Sequence, residues 1–206
     1  MPIPVKKALA HLRATDSVLA GVIDRVGPFR ARTSREASHY GAVLHSIVYQ
    51  QLSGSAAATI HARVLGLFGG REPRPRELLG TDDAALRAAG LSGQKTKYVK
   101  DLSAHAIKRG FPMERLHELD DAAVIDTLTQ IKGVGRWTAQ MFLMFRLGRP
   151  DVLPDLDLGI QKGMQRAYGL RRLPTPTQVL RRGAVWAPYR TVASWYLWRL
   201  LDLPDE

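Results

Sequence analysis

The stretch Asp121–Leu147, DAAVIDTLTQIKGVGRWTAQMFLMFRL, decides the fold. Val124, Ile125 and Leu128 recur at helical spacing behind Asp121, which can cap the segment at its start. Ile131-Lys132-Gly133-Val134-Gly135 then stops the helix, because two glycines permit a tight turn and close approach of a partner. From Arg136 to Leu147 the pattern is helical again, with Thr138 and Ala139 early and Phe142, Leu143, Phe145 and Leu147 packing later. Helix, two-glycine turn and second helix predict a helix-hairpin-helix. The start of the second helix leaves several backbone N–H groups pointing outward at its positive end, and a DNA phosphate suits that geometry. Lys132, Gly133, Val134, Gly135, Arg136 and Thr138 are therefore the expected DNA-binding residues. A dinucleotide loop is excluded, since no strand precedes the glycines, no third glycine follows, and no acidic ribose partner lies downstream.

Charge points the same way. Thirty lysines and arginines stand against 19 acidic residues, a formal charge of +11, and neutralising phosphates supplies much of the free energy of DNA binding. Between Lys162 and Arg190 there are seven basic residues and no acidic one. Pro174 and Pro176 interrupt that run, so no sustained basic amphipathic helix lies on a membrane. A 45% hydrophobic share excludes a fully disordered chain, and zero cysteines exclude disulfides, thiolate-held zinc and iron-sulfur clusters. No long apolar run can span a membrane, and the expected location is cytoplasmic, associated with the nucleoid.

Elsewhere apolar residues recur mainly at helical spacing. Val5, Leu9 and Leu12 mark a first helix and Val18 to Val26 a second, stopped by Gly27-Pro28; a polar stretch through Arg30 and Arg35 follows. Tyr40 to Gln51 reads as a largely buried helix, and the Ser53-Gly54-Ser55 turn leads to an alanine-rich one ending near Gly69-Gly70. Short helices at Glu77–Leu79 and Asp82–Ala89, the latter capped by Asp82, precede a longer one from Lys95 to Ile107. Many amphipathic helices joined by short turns predict an all-α protein. The six histidines show no close metal-ligand spacing, so no metal is expected.

Just after the hairpin, Asp151, Asp155 and Asp157 place three carboxylates in an otherwise basic region. A carboxylate repels phosphate, so its presence near DNA calls for a use. Asp157 precedes Leu158, Ile160, Met164, Ala167 and Tyr168, at the start of a helix where N–H donors and the dipole keep it ionised. A fixed negative charge there would stabilise the oxocarbenium-like sugar formed when a base-sugar bond breaks, or activate water. Asp155 is the rival, read as a supporting group, and Asp151 as a local cap. An ordinary N-cap is the bland alternative for Asp157.

Four motifs together resemble the helix-hairpin-helix DNA glycosylases, the bacterial 3-methyladenine DNA glycosylase II group in particular. They are Ile47-Val48-Tyr49-Gln50-Gln51-Leu52-Ser53, Gly90-Leu91-Ser92 with Lys95, Ile131 to Ala139, and Asp157-Leu158-Gly159-Ile160. The resemblance runs from about Tyr40 to Trp198 and implies two helical domains flanking a DNA-binding cleft: residues 37–148, and residues 1–36 with 149–206. It makes Asp157 catalytic and the hairpin a phosphate grip, with the damaged nucleotide flipped out of the duplex. Lyase-competent relatives carry a lysine where this chain has Trp137, which implies a monofunctional enzyme using water. Trp137, Trp198, Tyr49 and Met141 would line the base pocket, Met141 replacing a tyrosine of better-known members. Gln51, with Gln50 and Leu52, would fill the duplex after flipping, and Asp155 and Arg190 would support the catalytic aspartate. Alkylated purines, cationic and electron-poor, suit an aromatic face. The implied activity is removal of 3-methyladenine and 7-methylguanine type bases from double-stranded DNA by a monomer that requires no cofactor, although the hairpin could hold a structural monovalent cation. A noncatalytic duplex-binding module using the same hairpin is the competing possibility.

Overall fold

The computed structural model describes residues 3–31 and 36–204, so Arg32 to Arg35 of the polar stretch lie outside the described residues. Twelve α-helices and two 3₁₀ turns occur among the described residues, with no strand, as the periodicity predicts. None of these helices is long and apolar enough to cross a membrane.

The chain forms two compact units, a terminal unit of residues 1–33 and 143–206 and a central unit of residues 34–142. The later boundary falls inside a helix at Leu143, whereas the resemblance implies one after residue 148. Leu143 carbonyl accepts the Arg149 N–H at 2.9 Å, which ties the end of that helix to the segment behind it.

In the terminal unit, α1 (Val5–Thr15) and α2 (Ser17–Val26) are separated only by Asp16, which caps α2 by accepting the Leu19 N–H at 3.0 Å. The same carboxylate accepts hydrogen bonds from the Trp186 indole at 2.8 Å and from the Tyr168 hydroxyl. Leu12, Leu19, Ile160, Met164, Trp186, Tyr196 and Leu197 are buried together in this unit's core.

The central unit is built on α3 (His39–Tyr49), whose residues Tyr40 to Leu44, Ile47 and Val48 are buried. It stops two residues before the expected end at Gln51, because Gln50 turns extended and Gln51 adopts a φ of 56°. In α4 (Gly54–Gly66) the expected Ser53-Gly54-Ser55 turn becomes the cap and first turn of the helix itself. Two short helices follow, α5 (Pro75–Gly80) and α6 (Asp83–Ala88), the second capped by Asp82 as expected. Helix α7 (Gly93–Ile107) packs on α3, with the buried Ser103 and Tyr40 hydroxyls hydrogen-bonded at 2.8 Å. The 3₁₀ turn Met113–Glu118 has no counterpart in the sequence pattern; it places Met113 and Leu116 in the core.

Next come the two helices of the hairpin, α8 (Asp121–Leu128) and α9 (Arg136–Phe145). Asp120, not Asp121, caps α8, accepting the Ala123 N–H at 2.8 Å. An N-cap residue must lie outside helical geometry, and Asp120 does so with ψ 167°. After α9 the chain returns to the terminal unit with α10 (Leu158–Ala167), α11 (Pro176–Arg182), the 3₁₀ turn Gly183–Trp186 and α12 (Arg190–Leu200). Helices α10 and α12 approach so closely at Gly163 that a Cβ there would lie 2.5 Å from the Leu197 carbonyl oxygen.

Candidate nucleic-acid interface and catalytic carboxylate

Within the central unit the hairpin is held from behind at three points. Gln50 Nε2 donates to the Gly133 carbonyl at 2.8 Å, Asp101 Oδ2 accepts the Lys132 N–H at 2.8 Å, and the Tyr98 ring lies against Gly133. Gly133 has a φ of +81°, and a Cβ there would meet the Tyr98 ring at 2.2 Å, so both the turn and the packing require glycine. Gly135 is different: nothing lies within 4 Å of the position its Cβ would take. The space in front of it, at the N-terminus of α9, is where a phosphate could approach the backbone.

The expected DNA contacts divide accordingly. The Gly133 and Gly135 N–H groups make no hydrogen bond among the described residues. Val134 does not belong with them: its side chain is 4% exposed and its N–H donates to the Ile131 carbonyl at 3.0 Å, so it anchors the turn instead. Thr138 is 7% exposed and its side chain lines a cavity rather than the outer face. Lys132 projects outward with its Nζ 3.3 Å from Asp101, a weak surface pair that a phosphate could replace.

That cavity, about 580 Å³, lies wholly in the central unit and brings together Tyr49, Gln50, Gln51, Trp137 and Met141, residues 49 and 141 being far apart in sequence. Trp137 is 43% exposed, large for a tryptophan with no solvent role. Gln51 is exposed on a sharp bend beside Leu52, while Gln50 is committed to the hairpin carbonyl. Of the three expected wedge residues, Gln51 and Leu52 are thus presented outward and Gln50 serves as a brace.

Sequence reasoning did not assign Lys95, Tyr98 and His45 to this cavity, which they also line. Lys95 Nζ donates to the Val48 and Gln50 carbonyls, both at 2.6 Å, closing the C-terminus of α3. Its burial lowers its pKa. The Gly90-Leu91-Ser92 segment with Lys95 carried the signal: Ser92 caps α7, accepting the Lys95 N–H at 3.2 Å, and so sets where Lys95 falls on the helix.

In the terminal unit Asp157 is the N-cap of α10. Its Oδ1 accepts the Ile160 N–H at 2.8 Å and the Trp198 indole N–H at 2.9 Å. Trp198, expected as a wall of the base pocket, is not among the residues lining the central-unit cavity and is a direct partner of the carboxylate. A Cβ at Gly159 would sit 2.9 Å from both Asp157 Oδ1 and Trp198 Cδ1, so glycine is what allows the pair to form. Asp157 is half-buried between Leu156 and Leu158, each 53% exposed, whereas Asp155 is 3% exposed. Only Asp157 of these two can meet a substrate. Arg190 pairs with Asp151, its Nε and Nη2 each at 2.7 Å from that carboxylate. Burial pushes the Asp151 pKa up, but the Arg190 hydrogen bonds outweigh it and the net shift is downward. A larger groove in this unit, about 1010 Å³ and lined by Arg171, Arg172, Arg181 and Arg182, does not include Asp157.

Comparison with known proteins agrees with this geometry. Residues 44–188 match the HhH-GPD superfamily of base excision DNA repair proteins. The chain is 36% identical over 202 residues to DNA-3-methyladenine glycosylase 1 of Schizosaccharomyces pombe, covering 97% of this chain and 89% of that protein. It is 29% identical to DNA-3-methyladenine glycosylase 2 of Escherichia coli, covering 92% of this chain and 68% of that one. The solved structure of the Schizosaccharomyces pombe 3-methyladenine DNA glycosylase with abasic DNA superposes with a TM-score of 0.86 at 34% identity, covering 97% of this chain and 98% of that one.

Proposed function

Since the chain belongs to the HhH-GPD superfamily of base excision DNA repair proteins, we propose that it is a monofunctional glycosylase hydrolysing the N-glycosidic bond of alkylated bases in duplex DNA. Bases of the 3-methyladenine and 7-methylguanine type are its substrates. The observation that carries this is Asp157, an accessible carboxylate fixed by a helix N-terminus and an indole N–H.

Each part has a task set by its chemistry. The N–H groups of Gly133 and Gly135 hold a backbone phosphate at the start of α9, helped by Lys132. Trp137 and Tyr49 offer aromatic faces to a base that is cationic or electron-poor. An alkylated purine is already a good leaving group, which reduces the need for a general acid. Asp157 then stabilises positive charge as it develops on the sugar and orients the attacking water.

Position 137 is tryptophan, so no amine stands there to form a Schiff base with the sugar. Lys95, the lysine on the cavity wall, is committed to two carbonyls at the end of α3. The enzyme acts as a monomer, with the cytoplasmic nucleoid as its place of work. A monovalent cation on hairpin carbonyls would be structural only, and the Gly133 and Ile131 carbonyls already accept hydrogen bonds from Gln50 and Val134.

The deciding test incubates the protein with duplexes carrying 7-methylguanine or 3-methyladenine and measures free base directly. Release of the base, with no adduct after borohydride treatment, is expected. Salt-sensitive duplex binding with no base release at high enzyme concentration would identify a binding module instead.

A further inference from the structure

Histidines 45 and 61 are sixteen positions apart and share no motif, yet α3 and α4 bring their rings to 5.0 Å, edge to face. Glu36 joins them: one ligand atom from each of Glu36, His45 and His61 lies within 4.8 Å of the others. All three side chains are half-buried. A tetrahedral zinc ion with bonds of about 2.0–2.1 Å holds its ligands roughly 3.4 Å apart, a closure that side-chain rotation can supply.

We propose that Glu36, His45 and His61 form a divalent transition-metal site, of the zinc class, beside the cavity of the central unit.

Two imidazoles and a carboxylate are a donor set for borderline first-row cations, not for calcium or magnesium. Burial lowers the pKa of both histidines, which favours the neutral form that ligates a metal. The groups facing them are Glu36, Tyr49 and each other for the pair, and Glu72 for His61. One Glu72 oxygen accepts from Ser38 Oγ at the cap of α3, while the other is buried with no hydrogen-bond partner among the described residues. That oxygen packs at Gly41, one turn before His45 on the same helix face.

The site has a route to the cavity. The His45 ring stacks on Tyr49, centroids 3.8 Å apart and planes at 21°, and both line the 580 Å³ space that holds Trp137. An ion on His45 and His61 would clamp α3 to α4 and fix the Tyr49 wall. The inference rests on this cluster alone and stands whether or not the chain excises bases.

The test is calorimetric titration of Zn²⁺ into the metal-stripped full chain at about pH 7.5, with Co²⁺ as a visible-absorption probe of ligand geometry. One equivalent binds the wild type and raises its thermal midpoint. His61→Ala lowers the affinity about 100-fold or more, and Glu36→Gln about tenfold. His117→Gln, at the other close histidine pair, in which His39 Nε2 and His117 Nδ1 are 3.2 Å apart, leaves binding unchanged. His61→Asn with wild-type circular dichroism guards against a folding defect. Absence of saturable binding, undiminished binding by the folded His61 and Glu36 variants, or loss in His117→Gln would overturn the site.

Discussion

Asp157→Asn removes one negative charge and keeps the oxygen that both described donors reach. Both described donors, the Ile160 N–H and the Trp198 indole, reach Oδ1, and an amide oxygen accepts the same two hydrogen bonds. Asparagine caps helices as well as aspartate does, so stability should fall only by the lost charge-dipole interaction, about 0.3–1 kcal/mol. The chemistry should suffer far more. Two unit charges about 4 Å apart at an effective dielectric of about 20 attract by ~4 kcal/mol. Only part of that charge has developed on the sugar in the transition state, so a loss of about 2.7–4 kcal/mol, or roughly 100- to 1,000-fold in rate, is expected. The assay is single-turnover release of 7-methylguanine from a duplex at saturating enzyme, which separates chemistry from binding. Affinity for the lesion duplex should be unchanged or improved, since a charge that repels phosphate has gone. A folded variant that releases base within about threefold of the wild-type rate would refute the catalytic assignment. So would loss of activity in a folded Asp155→Asn protein alone.

Four further outcomes follow from single positions. Gly133→Ala, with φ +81° and the Tyr98 ring at 2.2 Å, should cost at least about 1–2 kcal/mol of stability and visibly lower the thermal midpoint. Gly135→Val should keep its midpoint yet bind every duplex about tenfold more weakly, the loss of one hydrogen bond to a charged group; unchanged binding in a salt series would contradict it. Gly159→Ala should push the Trp198 indole off Asp157 and slow excision while duplex affinity holds, and a wild-type single-turnover rate would count against that contact. For Asp16, burial raises the pKa, but hydrogen bonds from Tyr168, Leu19 and Trp186 outweigh it and leave the group below its ordinary 3.8. Its stabilisation is therefore fully present above that value and is lost as pH falls through the lower folded one. Melting curves between about pH 6 and pH 3 should converge for wild type and Asp16→Asn at the acid end, and parallel curves would show that this carboxylate is not the source.

The all-α architecture and the hairpin were legible from the order of residues alone, because both rest on local rules. Periodicity marks α8 and α9, glycine stops the helix at 133, and a capping residue ahead of Leu158 starts α10 at the residue that matters. Asp157 could be singled out for the same reason. Exact helix ends were less secure: Asp120 rather than Asp121 caps α8, and two adjacent aspartates offer no local basis for choosing between them.

What only the tertiary structure decided are relations between residues distant in the chain. Nothing near Gln50 says that its amide will brace Gly133, or that Lys95 will close the end of α3, because both depend on how α3, α7 and the hairpin pack. Val134 and Thr138 look like contacts from their place in the motif, and burial alone shows that their side chains face inward. Six histidines with no short spacing gave no hint of a shared site, yet the packing of α3 on α4 sets His45 beside His61. A sequence fixes which backbone conformation each short segment prefers, since that preference is decided by neighbours a few residues away. Which side chains meet across helices depends on the packing of whole faces, where many small contacts, and no single residue, determine the outcome.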